Sequence, residues 1–281
     1  MTEAEAFAFC KKLAKSHYEN FHVASFFLPK RLRQPFYVVY AYCRCSDDLA
    51  DEHDGSQESR ERALRHLDHW QRQLDQCFDR VEANEKTHPV FVALRSLLRC
   101  SALPKEPFAD LLVAFRQDQT QSCYATLDDL LGYCRYSANP VGRIVLHLVC
   151  QPTPEQLEWS DSICTALQLA NFWQDVRRDQ ALGRCYIPQD VAQKYGVDLA
   201  DLHDSPEFRQ MIQELVADAR KRFCAGKPLI EAVPREIRKD ISLFIRGGLA
   251  VLDAIERLEC NVLETRPALS RWTKLRLLLG Y

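Results

Sequence analysis

Two short acidic stretches hold the residues best suited to chemistry in this chain. They are Asp47-Asp48-Leu49-Ala50-Asp51 and Asn171-Phe172-Trp173-Gln174-Asp175-Val176-Arg177-Arg178-Asp179. Both lie in long runs with helical periodicity. On a helix, residues four apart differ by about 40° around the axis and about 6 Å along it. Asp47 and Asp51 therefore share a face, and so do Asn171, Asp175 and Asp179. Each face sets carboxylates beside apolar neighbours (Leu49 and Ala50, then Phe172 and Trp173), where an isolated charge is costly. Oxygen-rich clusters of this kind suit Mg2+, which takes one or two carboxylates and completes its shell with water and substrate phosphates. Asp47, Asp48, Asp51, Asn171, Asp175 and Asp179 are thus candidate metal ligands, and two facing stripes can hold a metal-bound diphosphate at the mouth of a helical bundle. Alone, an acidic i,i+4 pair such as Asp47 and Asp51 more often decorates a solvated surface. The second stretch sits mid-helix among large aromatics and runs into Gly183-Arg184-Cys185-Tyr186-Ile187-Pro188. The two together favour a site.

The elements that must position these residues read as helices throughout. Hydrophobic residues make up 47% and charged residues 27% of 281, ordinary for a globular protein large enough to bury a sizeable core. Glycines number only nine, and Asp54-Gly55 lies among polar residues rather than between alternating runs, which argues against hairpins and for an all-α protein. The pattern predicts helices near 3–14, 31–51, 58–80, 88–100, 105–121, 127–150, 154–180, 205–225 and 235–263, with prolines at many of their ends. With no internal repeat, linker or composition shift, one domain spanning 1–281 is the expectation.

A net charge of −2 gives no reason to expect nucleic acid. The twelve cysteines are scattered through helical patterns without a Cys-x-x-Cys, so reduced, packed thiols are expected. His66 and His69 fall on the charged helix near 58–80 and read as a solvated face. The acidic start, Met1-Thr2-Glu3-Ala4-Glu5, does not look like a secretory leader, and no run approaches the length of a membrane span, so a cytoplasmic protein is expected. The segment from Ser270 to Tyr281 mixes basic and apolar residues. It suits either a terminal helix docked on the bundle or a peripheral contact with the inner membrane surface.

The chain resembles the squalene and phytoene synthase family over nearly its whole length. The resemblance rests on Tyr40-Ala41-Tyr42-Cys43-Arg44-Cys45-Ser46-Asp47-Asp48-Leu49-Ala50-Asp51 and on Gln168-Leu169-Ala170-Asn171 through Asp179, continued by Tyr133-Cys134-Arg135-Tyr136-Ser137-Ala138 and Gly183 through Pro188. More narrowly, His17-Tyr18-Glu19-Asn20-Phe21 and Ser137-Ala138-Asn139-Pro140-Val141-Gly142 look like the hopanoid-pathway branch that makes hydroxysqualene. The resemblance implies a single helical bundle of the isoprenoid synthase type with a central apolar cavity. It also implies Mg2+-assisted loss of diphosphate at Asp47, Asp51, Asn171, Asp175 and Asp179, in the manner of a diphosphate lyase or hydrolase. Phe21, Arg44, Asn139, Gln168, Arg184 and Tyr186 are then expected to contact substrate, and Tyr136 to stabilise positive charge or shuttle a proton.

Departures from the family pattern point to the later half-reaction. Tyr18 and Asn20 stand where many members carry serines, and Gln174 stands where some carry an arginine. Asn139 adds a polar group able to hold a water near the final cation. Fewer diphosphate contacts fit a substrate with one diphosphate, which is presqualene diphosphate captured by water. Such an enzyme can work beside a related presqualene diphosphate synthase. The rival is a head-to-head transferase joining two prenyl diphosphates to presqualene diphosphate or phytoene. A class I terpene cyclase shares the acidic logic, but the tyrosine and Arg184/Tyr186 segments argue against it. A non-enzymatic scaffold of the same fold is expected to have lost the aspartates, all of which are present. Without a Gly-x-Gly-x-x-Gly there is no nicotinamide fingerprint.

Overall fold

The structure, a computed structural model, describes residues 1–16, 28–51 and 56–270. Among these every regular element is helical. By compactness the chain divides into two units interleaved in sequence: Met1–Thr120 with Pro140–Thr153 and Pro234–Ile237, and Gln121–Asn139 with Pro154–Val233 and Arg238–Tyr281.

In the first unit, α1 (Glu3–Ser16), α2 (Lys30–Asp51), α3 (Gln57–Phe78), α4 (Pro89–Leu98) and α5 (Glu106–Gln117) pack around an aromatic centre. α1 buries Ala6, Cys10 and Ala14, a stripe of three small side chains four residues apart that lets α2 and α4 approach closely. Tyr42 of α2 is fully buried, and its hydroxyl donates to the Phe108 carbonyl at 2.8 Å. Trp70, Phe91 and Phe108 surround its ring with centroids 5.1–6.0 Å away, at the tilted and edge-on angles that aromatic quadrupoles favour. This cluster fixes the rotation of α2, and with it the face that carries Asp47 and Asp51. The far end of α2 is held by the buried Gln119, whose Nε2 donates to the Ala50 carbonyl at 3.1 Å, satisfying one of the acceptors a helix end leaves open.

The second unit is built on α8 (Pro154–Gln174), which packs against α6 (Leu127–Ser137), α11 (Pro206–Gly226) and α13 (Arg238–Arg257). Gly226 and Gly248 mark the closest approaches. A Cβ at Gly226 would sit 2.8 Å from the Trp159 carbonyl oxygen, and one at Gly248 would meet the Phe223 ring.

Three long predicted helices are interrupted. The 127–150 run splits at Ala138 into α6 and α7 (Asn139–Val149), because Pro140 has no N–H to donate to the Tyr136 carbonyl one turn earlier and its ring crowds that carbonyl. The 154–180 run breaks at Asp175, leaving α9 (Val176–Ala181) as a separate turn of helix. The 235–263 run begins with a 3-10 turn, Arg235–Ile237, and α13 ends at Arg257 before Glu259 and Cys260 adopt positive φ. Two short helices, α10 (Gln189–Tyr195) and α12 (Leu229–Ala232), lie where the sequence predicts none. The cysteines are not uniformly packed: Cys10, Cys77, Cys134 and Cys260 are buried, Cys100, Cys123 and Cys224 are exposed, and burial pushes Cys43 and Cys134 up to about 12. His66 and His69 lie on an exposed face of α3. No helix among the described residues is long and apolar enough to cross a membrane.

Candidate active site

The second acidic stretch keeps its phase through the break at Asp175. The Asp175 N–H donates to the Asn171 carbonyl and the Asp179 N–H to the Asp175 carbonyl, each at 2.9 Å, so i→i−4 bonds stand on both sides of the bend. α9 then ends in a Schellman motif. Gly183, at φ 72°, donates to the Gln180 carbonyl at 2.9 Å, and the Arg184 N–H donates to the Asp179 carbonyl at 2.9 Å. This reversal turns Arg184 back along the helix it has just left, and its charge acts directly on the Asp179 carboxyl. Glycine is what the left-handed position requires.

Asp179 carries the clearest electrostatic signature of the site. Burial raises its pKa to about 6, the Asp175 charge pushes in the same direction, and Arg184 and Arg178 oppose both. A half-buried carboxyl beside a second carboxylate, with cations able to reach it, is poised for a cation stronger than the neighbouring arginines supply. Asp179 and Arg184 line a small cavity with Phe172, Val176, Tyr186 and Leu202. One wall is an aromatic stack: Tyr186 lies on Phe172 at 3.9 Å and 10°, with Tyr124 and Tyr133 about it at 5.9 and 6.1 Å. Tyr186 is therefore held by packing, next to the charged groups.

A strap that sequence reasoning did not find closes over the same motif. The Arg266 Nε and Nη2 both donate to the Asp175 carboxylate, the latter at 3.1 Å. Gln174 Nε2 donates to the Pro267 carbonyl at 2.6 Å, and Arg177 Nη1 to the Leu263 and Glu264 carbonyls at 3.2 and 3.4 Å. The guanidinium beside Asp175 thus comes from a segment 91 residues away. No local spacing signals it.

On α2, Arg44 is engaged with the acidic stretch itself, through Asp48 and, at 3.4 Å, Asp47. The expected phosphate contact at Arg44 would therefore involve a guanidinium already flanked by two carboxylates. Asp51 is exposed at the helix end. Gln168 is half-buried one turn before the exposed Asn171. Tyr136, on α6, is half-buried with the Arg135 guanidinium 5.9 Å from its ring centroid. Asn139 is buried, and its Oδ1 accepts from Thr165 Oγ1 at 2.9 Å, which ties the start of α7 to α8. Phe21, with Tyr18 and Asn20, lies outside the described residues, as does the basic and apolar segment 271–281.

Among the described residues no group of three or more His, Cys, Asp or Glu side chains is arranged to hold a metal alone. The second motif nonetheless suits a divalent cation that brings oxygen ligands with it. Its donors are all hard oxygens (Asn171, Asp175, Asp179), and Asp175 already attracts a cation in the form of Arg266.

Comparison with known proteins then decides the family, since the model for squalene/phytoene synthase matches residues 14–273. The chain belongs to the squalene/phytoene synthase family. Within it, the chain is 32% identical to a hydroxysqualene synthase of Rhodopseudomonas palustris, covering 92% of this chain and 84% of that protein. It is 27% identical to a phytoene synthase of Arthrospira platensis, over 98% and 91% of the two chains. The crystal structure of squalene synthase HpnC from Alicyclobacillus acidocaldarius superposes with a TM-score of 0.85 at 40% identity, covering 92% of this chain and 96% of that one. Members of this family are isoprenoid synthases, and the all-helical architecture is theirs. The acidic motifs, the Tyr136 segment and the Gly183–Pro188 turn all fall inside the matched region.

Proposed function

We propose that this protein is a Mg2+-dependent hydroxysqualene synthase, converting presqualene diphosphate and water to hydroxysqualene and diphosphate. The observation that carries the chemistry is the second motif. A carboxyl raised to about 6 faces an arginine turned back by a glycine cap, against a stacked aromatic wall. The choice of substrate is supported by 32% identity to a hydroxysqualene synthase, together with Gln174 and Asn139 at positions that set this chain apart from the general pattern.

Asn171, Asp175 and Asp179 would hold a metal ion, and Asp47, Asp48 and Asp51 are proposed as metal ligands in their own right. When bound, the metal supplies the positive charge that lets diphosphate leave. Arg184 adds a fixed guanidinium whose planar fork matches phosphate oxygens. The leaving group takes the bonding pair, so the carbon skeleton is left cationic. The stacked pair of Phe172 and Tyr186 makes an apolar wall that helps to exclude water from such a charge. Tyr136 is assigned stabilisation of that charge from α6, or transfer of a proton to the departing diphosphate. Capture of the rearranged cation by one water forms the new C–O bond, and that water's proton leaves with the solvent or diphosphate. Asn139, whose Oδ1 accepts from Thr165, is the proposed holder of that water. A cytoplasmic setting and a peripheral membrane contact for the apolar substrate belong to the same proposal, as does a companion enzyme that supplies presqualene diphosphate.

The test is incubation of the purified protein with presqualene diphosphate in 18O-water, and separately with farnesyl diphosphate. A C30 alcohol carrying the label, formed without a nicotinamide and abolished by chelator, is expected. Conversion of farnesyl diphosphate to presqualene diphosphate, with presqualene diphosphate left unconsumed, would hand the assignment to the earlier half-reaction.

A further inference from the structure

Asp175 is the residue of the second motif with the most definite partner, and that partner is a cation from the chain itself. Its side chain is 18% exposed and Arg266 is 54% exposed, with two guanidinium nitrogens spread across both carboxylate oxygens. The fork occupies the lone pairs that a metal would use. The same oxygens cannot serve both at full strength. Arg266 Nη2 also reaches Gln174 Oε1 at 3.5 Å, so the guanidinium is steered from two sides.

The strap itself does not depend on this pair. Gln174 to Pro267, and Arg177 to Leu263 and Glu264, hold residues 263–267 in place through backbone carbonyls. The Arg266 side chain can therefore swing away from Asp175 while the strap stays docked. A long side chain on an anchored backbone, paired with a carboxylate near the surface, has the construction of a displaceable counter-ion. Without it, Asp175 and Asp179 would repel each other in the metal-free protein; with it, a metal must first release the guanidinium.

We propose that Arg266 is a positioning residue that acts as a built-in counter-ion of Asp175, released when a divalent cation binds, so that it holds down the protein's affinity for metal. This rests on Asp175 being a metal ligand, as assigned under the proposed function. Arg266 is not asked to touch substrate. Its effect is on a competition: whatever free energy the pair contributes to the metal-free protein is subtracted from metal binding. For a partly exposed pair with good fork geometry, that difference corresponds to roughly fivefold in affinity.

The experiment is Mn2+ binding to the full chain in the presence of inorganic diphosphate, which supplies the oxygen ligands the motif lacks, followed by electron paramagnetic resonance of protein-bound Mn2+ and by calorimetry. Wild type, Arg266→Gln, Arg266→Lys and Asp175→Asn are compared. Arg266→Gln should bind Mn2+ about fivefold more tightly than wild type, because neutral glutamine no longer competes. Arg266→Lys should fall between them, keeping the charge but losing the fork. Asp175→Asn should bind more weakly than wild type. Equal or weaker Mn2+ binding by Arg266→Gln, with Asp175→Asn still impaired, overturns the counter-ion and leaves the functional reading standing. If Asp175→Asn binds Mn2+ as wild type does, or no variant binds it, Asp175 is not a ligand and both fail together. Misfolding is checked on the same samples by melting temperature, since the three carbonyl contacts keep the strap in place whatever stands at position 266.

Discussion

Replacing Asp175 by asparagine should separate function from folding, and the structure allows both sides to be sized. On the folding side, the change removes an ion pair with Arg266, worth about 0.5–1 kcal/mol for groups this exposed. Asparagine keeps a carbonyl that can still accept from the guanidinium, so part of that is retained. The change also removes the charge that, after burial, does most to raise Asp179, and relieving that repulsion returns about 0.5 kcal/mol. The released Arg266 is more than half exposed and is not left as a buried charge. The balance lies within about 1 kcal/mol of zero, which for a chain of this size moves the melting temperature by no more than about 3 °C. On the functional side, losing an anionic metal ligand should lower turnover of presqualene diphosphate about a thousandfold, as removing one preorganised charge-stabilising group does. Turnover at saturating Mg2+ and scanning fluorimetry at pH 7.5 measure the two. A variant within about threefold of wild-type turnover would refute the assignment of Asp175 as a ligand. A fall in melting temperature beyond about 6 °C would refute the electrostatic balance, making Asp175 a residue that holds the fold.

Asp240 is buried, and neither of its carboxylate oxygens has a hydrogen-bond partner among the described residues; burial raises its pKa to about 6. Because the folded value lies above the ordinary one of 3.8, its contribution is fully present below pH 3.8 and is lost as pH rises through 6. Asp240→Asn should therefore stabilise the protein by about 1–2 kcal/mol at pH 8 and little at pH 4.5 by denaturant titration; an equal gain at both would contradict this origin. Gly248→Ala should cost about 2 kcal/mol, since the new Cβ would press on the Phe223 ring and lie 3.0 Å from Leu167 Cδ2. Adding Phe223→Leu should recover part of that loss, and strictly additive effects in the cycle would mean the two do not touch. Asn139→Ala should divert product toward hydrocarbon or rearranged alcohols. Thr165→Val, which breaks their 2.9 Å bond but spares the amide, should cost about 1 kcal/mol of stability with a smaller product change. Matching product profiles would mean that Asn139 acts through the fold alone.

How much of this was legible in the sequence depends on how far apart the cooperating residues lie. Most helix positions and the four-residue spacing of Asn171, Asp175 and Asp179 follow from local periodicity, whereas the cysteines divide, with Cys10, Cys77, Cys134 and Cys260 buried and Cys100, Cys123 and Cys224 exposed. The break at Ala138 was also written locally, in Pro140, which cannot donate the hydrogen bond that would carry the helix past Ala138. Helix α10 was likewise signalled by Pro188 at its start and Gly196, at φ 68°, at its end. Gly183 is intermediate: its type announces a helix end, but only the cap geometry shows that the turn presses Arg184 against Asp179. Arg266 was beyond reach, since nothing within a helical turn of it points to a partner 91 residues away. The absence of an arginine at position 174 reads, from sequence, as the loss of a positive charge beside the first aspartate of the motif. In the folded chain Gln174 instead donates to the Pro267 carbonyl and accepts from Arg266, so it helps place a guanidinium on Asp175 from outside the helix. A substitution that looks like a subtraction in one dimension is, in three, an exchange of a fixed charge for a movable one. That exchange is what makes the metal affinity of Arg266→Gln informative about the site as a whole.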